Sequence, residues 1–203
     1  MRLGVFGGSF DPVHYGHLLL AEYSRESARL DRVLFMPAAV PPHKQQKELA
    51  SDKQRIEMLK LAIAGHDAFE VSDLEISRGG VSYTVDTLSA VRARFPHAEL
   101  FFLMGADSLE EFPTWRSPEQ ICELAIPMVV RRPGSAPPDV SALSAYLTAD
   151  RLQQARDCRV DMPLIELSST EIRRRVAAGC SICFQTPRAV EQYIKSAGLY
   201  APA

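Results

Sequence analysis

The stretch Gly7-Gly8-Ser9-Phe10-Asp11-Pro12-Val13-His14-Tyr15-Gly16-His17 decides how the chain is read. The apolar run Leu3-Gly4-Val5-Phe6 before it predicts a buried strand over residues 2–6. The run Leu18-Leu19-Leu20-Ala21-Glu22-Tyr23 after it predicts a helix over residues 16–29. A glycine pair closing a strand lets the backbone turn tightly and lets a ligand approach the main chain. His14 and His17 then stand at the opening turn of the helix, with Gly16 between them. Free N–H groups and a partial positive charge make that end attractive to anions, and a phosphate chain is the anion it suits best. The plain alternative is a turn followed by two ordinary histidines. The chain has no Gly-x-x-x-x-Gly-Lys-Ser/Thr loop and no Gly-x-Gly-x-x-Gly fingerprint, so neither of those phosphate-binding devices applies.

Outward from this stretch, strand-like and helix-like segments alternate. Strands are expected at residues 32–36, 69–76, 99–104, 126–130 and 163–167, and helices at 51–64, 84–95, 118–124, 169–178 and 187–197. Such alternation implies an α/β fold: a doubly wound, mostly parallel sheet with right-handed crossovers and helices on both faces. Runs such as Leu34-Phe35-Met36 and Phe101-Phe102-Leu103-Met104 are apolar on both sides, as a covered sheet requires. In such sheets ligands bind beyond the carboxyl ends of the strands, where the glycine-histidine stretch lies. One domain is expected over residues 1–203, with 132–161 a peripheral excursion rich in proline at its start and 168–200 a C-terminal helical part.

A second anion site is suggested by Ser168-Ser169-Thr170-Glu171-Ile172-Arg173. Ser168 and Glu171 have capping-box spacing, which alone would explain the pattern. Ser169, Thr170 and free amides nevertheless gather at another helix start, and Arg173 one turn in can grip an anion with two nitrogens.

Together these strings resemble the nucleotidylyltransferase superfamily, whose mark is His/Thr-x-Gly-His after a first strand. The full eleven-residue form, with Ser168-Ser169-Thr170-Glu171-Ile172-Arg173 and the ending Tyr193-Ile194-x-x-x-Gly198-Leu199-Tyr200, closely resembles the bacterial nicotinate-nucleotide adenylyltransferase family. The resemblance covers residues 2–131 and 163–200. It implies a Rossmann-like nucleotidylyltransferase fold and adenylyl transfer from ATP to nicotinate mononucleotide, with Mg2+ accompanying ATP. It further implies catalytic roles for His14, His17 and Arg173, and ATP contacts from Gly7, Gly8, Ser9, Phe10, Gly105, Asp107, Ser168, Ser169 and Thr170. Lys44, Ser82, Tyr83, Thr84 and Trp115 would contact the mononucleotide, Trp115 by stacking on the pyridine ring. No protein-built metal site is implied. Three alternatives remain: the same chemistry on nicotinamide mononucleotide or phosphopantetheine, a cytidylyl transfer, or a non-catalytic nucleotide-sensing module.

Composition is ordinary for a soluble globular protein. The chain has 203 residues, 46% hydrophobic and 24% charged, enough for one substantial core. A net charge of −2 offers no broad basic field, so neither nucleic acid nor an anionic membrane is an expected partner. No apolar run approaches the ~18–20 residues of a membrane span, and no signal-peptide pattern opens the chain, so a cytoplasmic location is expected. Cys180-Ser181-Ile182-Cys183 has C-x-x-C spacing, but Cys122 and Cys158 lack nearby partners, and reduced thiols are expected throughout. The sequence leaves open whether the protein is a monomer or a homo-oligomer.

Overall fold

The structure is a computed structural model that describes residues 1–40, 50–131, 140–158, 160–163 and 165–202. Its first half runs β1 (Arg2–Gly8), α1 (Tyr15–Ser27), β2 (Arg32–Pro37), α2 (Asp52–Ile63), β3 (Phe69–Val71), α3 (Leu74–Arg78) and α4 (Thr84–Arg94). The second half runs β4 (Glu99–Gly105), α5 (Ala106–Glu111), α6 (Pro118–Leu124), β5 (Ile126–Arg131), α7 (Ala149–Asp157), β6 (Val160–Asp161), α8 (Ser169–Ala177) and α9 (Arg188–Ser196). Short 3-10 helices cover Phe112–Thr114 and Val140–Ala145.

The six strands form one sheet in the order β3-β2-β1-β4-β5-β6, and every pairing is parallel. This is the doubly wound arrangement expected from the alternation of elements, and its central strands explain why. In β1, Leu3 and Val5 are buried, in β2 Val33 to Met36, and in β4 Leu100 to Met104. A strand apolar on both faces is stable only when helices cover both sides. α1 packs on β1 and β2, α2 on β2 and β3 with α9 packed back across it, and in the second half α6 packs against β5 and α4. Burying one such side chain stabilises the fold by roughly 1.5–3 kcal/mol, so the three central strands dominate the core.

Two expected strands differ. The segment expected as a strand over 69–76 pairs with β2 only at Phe69, Glu70 and Val71, and then turns into α3. Within α3 the Glu75 carboxylate is buried and accepts a hydrogen bond from the Thr87 hydroxyl of α4 at 2.6 Å, a tertiary contact that holds this turn of helix against the neighbouring one and that local alternation does not encode. The expected strand at 163–167 is absent among the described residues of that stretch. The sheet is completed one step earlier, where Val160 and Asp161 pair with Val130 and Arg131. Pro163 follows, and its lack of an N–H ends the ladder. Residues 140–161, expected within a peripheral excursion, bring Leu143, Leu152, Ala155 and Val160 into the core and supply β6. Among the described residues no helix is long and apolar enough to cross a membrane. All four cysteines are free; Cys122 and Cys158 are buried, Cys180 and Cys183 exposed. Burial pushes the Cys122 thiol up to about 12, which keeps it inert.

Candidate active site

The strand order reverses between β1 and β4, and a crevice opens beyond their carboxyl ends. The loop that leaves β1 at Gly8 and enters α1 after His14 occupies this crevice. It is an interior loop: Phe10, Asp11, Val13 and His14 are all buried. A buried loop must find partners for its main-chain polar groups, and this one finds them in distant parts of the chain. The Gly8 carbonyl accepts from Ala38 N–H at 2.9 Å. The Ser9 carbonyl accepts from Arg55 Nη1 at 3.0 Å. Those of Asp11, Pro12 and Val13 accept from Arg173 Nη1 at 2.6 Å, Ser169 Oγ at 2.9 Å and Thr186 Oγ1 at 2.8 Å. The carbonyls are thus turned toward a surrounding clamp from β2, α2, α8 and the segment before α9.

Phe10 anchors the bend with φ of +47°. Its ring packs edge-on against Phe6 at 5.3 Å and His17 at 5.1 Å. A Cβ on Gly8 would stand 3.0 Å from Phe10 Cζ, so the ring occupies the space that any larger residue there would need.

His14 is the N-cap of α1, and His17 lies in the helix's first turn. The two imidazoles stack, with centroids 3.7 Å apart and planes 28° from parallel. His14 N–H donates to His17 Nδ1 at 3.3 Å. That bond makes Nδ1 the acceptor and leaves the His17 proton on Nε2, a neutral donor. His14 is 6% exposed, and burial pushes its pKa down to about 4. A charged imidazolium there would lose its hydration without compensation, so His14 is neutral near pH 7. Its Nδ1 is buried and has no hydrogen-bond partner. Gly16 makes the stack feasible: a Cβ there would meet His14 Cε1 and Nδ1 at 3.0 Å. The opening amides of α1 are less free than the sequence suggests, since Tyr15 N–H donates to the Gln185 carbonyl at 3.1 Å and His17 N–H to the His14 carbonyl at 2.9 Å.

The second helix start reaches the same crevice. Ser168 caps α8 by accepting from Glu171 N–H at 3.1 Å. The reciprocal half of the expected capping box is replaced, because the Glu171 carboxylate takes both Nε and Nη2 of Arg174 at 2.7 Å. Arg173 bridges the sites: besides the Asp11 carbonyl, its Nη1 lies 3.6 Å from Asp11 Oδ2, and its Nη2 donates to Thr170 Oγ1 at 3.4 Å. Asp11 is fully buried, and its Oδ1 accepts from Ala50 N–H at 3.1 Å and from the Tyr200 hydroxyl at 2.6 Å. Burial, then the bond to Asp11, raises the Tyr200 hydroxyl well above its usual range, so it stays a donor.

On the other side of Gly7 and Gly8, between β1, β4 and α4, lies a cavity of about 390 Å³. Ser82, Tyr83, Thr84, Trp115 and Arg116 line it. Trp115 is held by Phe102 and Phe112 at ring separations of 5.8 and 5.5 Å, with a buried Nε1 that has no partner. Ser82 Oγ accepts from Ala39 N–H at 2.9 Å, which leaves the hydroxyl proton for a ligand. Tyr83 N–H is taken by the Val81 carbonyl at 3.1 Å, whereas Thr84 stands at the first position of α4, where a helix leaves its amide without an intrahelical acceptor. Arg116 stacks over Tyr83 at 4.9 Å and lies 3.5 Å from Asp86. Such a cavity is large enough for a nucleotide base or pyridine ring.

The structure thus brings His14, His17, Ser168, Ser169, Thr170 and Arg173 to one edge of the crevice and Gly7, Gly8, Ser9, Ser82, Tyr83, Thr84 and Trp115 to the other. Gly105 caps α5 at the end of β4, beside them. Lys44 lies outside the described residues, as does the side chain of Asp107. Sequence reasoning missed Arg55, Thr186, Tyr200 and Arg116. Arg55 is 1% exposed although charged, and its ionic partner is Asp52, one helical turn away, at 2.5 Å; that Asp-x-x-Arg spacing is the sole local hint.

Residues 5–175 match the cytidylyltransferase-like family. A probable nicotinate-nucleotide adenylyltransferase of Thermomicrobium roseum is 46% identical over 199 residues, covering 98% of this chain and 91% of that protein. One from Citrifermentans bemidjiense is 44% identical over the whole of both chains. A nicotinic acid mononucleotide adenylyltransferase of Plasmodium falciparum, solved in complex with NaAD, superposes with a TM-score of 0.74 at 17% identity, covering 98% of this chain and 97% of that one; at that identity the likeness is one of fold. The chain belongs to the cytidylyltransferase-like family and, within it, to the nicotinate-nucleotide adenylyltransferases.

Proposed function

We propose that the chain transfers the adenylyl group of ATP to nicotinate mononucleotide, giving nicotinate adenine dinucleotide and pyrophosphate in NAD biosynthesis. The observation that carries this reading is the adjacency of an imidazole pair and a tethered arginine to an aromatic cavity across Gly7-Gly8-Ser9. A triphosphate on one side and a pyridine nucleotide on the other would meet there. An oxygen of the mononucleotide phosphate forms a bond to the α-phosphorus, and the bond from that phosphorus to the bridging oxygen breaks, pyrophosphate leaving with the electron pair. The nucleophile is already anionic near pH 7, so no base is required. The work of the protein is positioning and stabilising charge on the phosphoryl oxygens.

His17 Nε2–H donates to an α-phosphoryl oxygen. His14, neutral and stacked beneath it, fixes that ring and offers a hydrogen bond to a neighbouring oxygen. Arg173, with Thr170 and the α8 start, holds the departing pyrophosphate. Trp115 stacks on the pyridine ring, while Thr84 N–H, the Ser82 hydroxyl and the Arg116 charge favour an acid over an amide. Gly105, Asp107 and Lys44 complete the contacts to ATP and mononucleotide. Mg2+ would accompany ATP and offset the charge of its phosphates; among the described residues no group of three or more His, Cys, Asp or Glu could hold a metal ion. The reaction belongs in the cytoplasm.

Pyrophosphate release, measured with ATP and each of nicotinate mononucleotide, nicotinamide mononucleotide and phosphopantetheine, tests the reading. Nicotinate mononucleotide should lead in kcat/KM by at least ~10-fold. Release with none of the three, or a lead for another acceptor, overturns it.

A further inference from the structure

We propose that Tyr200 is a positioning residue that keeps Arg173 available to the phosphates of ATP by holding the carboxylate of Asp11 away from it. The inference rests on the phosphate role of Arg173 given above.

Asp11 and Arg173 are close enough to form a tight pair. Oδ2 of the buried carboxylate lies 3.6 Å from Arg173 Nη1 and accepts no hydrogen bond. A guanidinium and a carboxylate at that distance favour a two-pronged pair, with both oxygens facing both terminal nitrogens. Here they do not make it. Oδ1 is turned the other way, fixed by Ala50 N–H and by the Tyr200 hydroxyl at 2.6 Å. Nη1 instead donates to the Asp11 main-chain oxygen at 2.6 Å, and Nη2 reaches no further than Thr170 Oγ1. The arginine is anchored through Nη1 and, at longer range, through Nη2 to Thr170, and each of these terminal nitrogens carries a second N–H that is left for an anion. Tyr200, at φ of +62° in the segment after α9, is brought to this point by a hydrogen bond that spans 189 residues of sequence.

Removing the Tyr200 oxygen leaves Oδ1 held only by the longer bond from Ala50 N–H, too little to keep it from rotating toward the guanidinium. The carboxylate then captures the guanidinium, and the phosphates lose its donors. The cavity lined by Trp115 is separate from this contact, since neither Tyr200 nor Asp11 lines it. Binding calorimetry with ATP alone, and separately with the mononucleotide alone, reads the effect without depending on which acceptor is used in turnover. Tyr200→Phe should weaken ATP on the order of fivefold and leave mononucleotide affinity unchanged. Ile194→Val, a buried change in the same C-terminal segment, controls for loss of stability: at a matched fall in Tm it should leave ATP affinity intact. In an Arg173→Lys background, Tyr200→Phe should have no further effect on ATP, because its route of action is gone. Equal weakening of both ligands, no weakening of either, a loss of ATP affinity in Ile194→Val, or effects of Tyr200→Phe and Arg173→Lys that multiply would each overturn the proposal. A wrong acceptor assignment would alter the mononucleotide measurement and leave the ATP series readable.

Discussion

Lowering the pH from about 7 to about 5 challenges His14 in particular. In the unfolded chain its imidazole takes a proton near 6.5, whereas in the folded chain burial holds its pKa down at about 4. Between those values the unfolded state binds the extra proton, so stability rises with pH through this window and is lost as pH falls through it. Above about 6.5 the contribution is complete, and below about 4 it is gone. The full difference corresponds to about 3 kcal/mol, of which about 2 kcal/mol disappears between pH 7 and pH 5. Urea unfolding of the wild-type protein and of His14→Asn, followed across that range, isolates this contribution. Asparagine caps helices well and does not titrate, and all other groups are common to both proteins. The wild type should lose about 2 kcal/mol more than the variant over those two pH units. Parallel stability curves, or a His14 ring proton that titrates near 6.5 by NMR, would show that the ring is hydrated and refute the picture of a dry, neutral imidazole beneath His17.

Other expectations follow from the same geometry. His17→Ala should lower kcat by at least ~10² with the unfolding midpoint little changed, as for loss of a donor used in the transition state; near wild-type turnover would remove it from the chemistry. Trp115→Ala should weaken the mononucleotide by ~1–3 kcal/mol through lost stacking, with ATP affinity retained. An unchanged KM for the mononucleotide would leave this tryptophan a core residue packed on Phe102 and Phe112. Gly16→Ala should separate stability from activity. The helix gains up to ~1 kcal/mol, yet the new Cβ, 3.0 Å from the His14 ring, disturbs the stack and lowers kcat on the order of tenfold. A variant that keeps full turnover would show that the stack can shift without cost.

Much of the framework was legible in the sequence because it is local. The glycine-histidine stretch, the Ser168 cap and the apolar strands each declare themselves within a few residues. Two strand boundaries did not. The alternation in residues 69–76 suits a strand as well as it suits a short helix, and the contact of Glu75 with Thr87 that holds the helix reaches outside that stretch. The run after Pro163 is apolar enough for a strand, but the two-residue ladder at Val160 and Asp161 already satisfies the sheet edge. The clamp on the β1–α1 loop was invisible for a different reason. Its donors Arg55, Ser169, Arg173 and Thr186 lie 46 to 173 residues from the carbonyls they hold. Nothing in local composition marks a hydroxyl as the partner of a main-chain oxygen so far away. Ser169 and Arg173 are expected as anion ligands, and the structure adds a second task for each, since both donate to main-chain carbonyls of the first loop.

The clamp ties competence to the completion of folding. All the strands that define the crevice precede Ser169 in the chain, whereas the groups that set the posture of the Asp11, Pro12 and Val13 main chain come from Ser169, Arg173 and Thr186. A folding intermediate with its sheet already assembled would still carry a slack first loop and would discriminate poorly among anions. Catalytic turnover in this protein is therefore a late and sensitive reporter of docking by the final helices, and recovery of activity during refolding should lag the recovery of secondary structure.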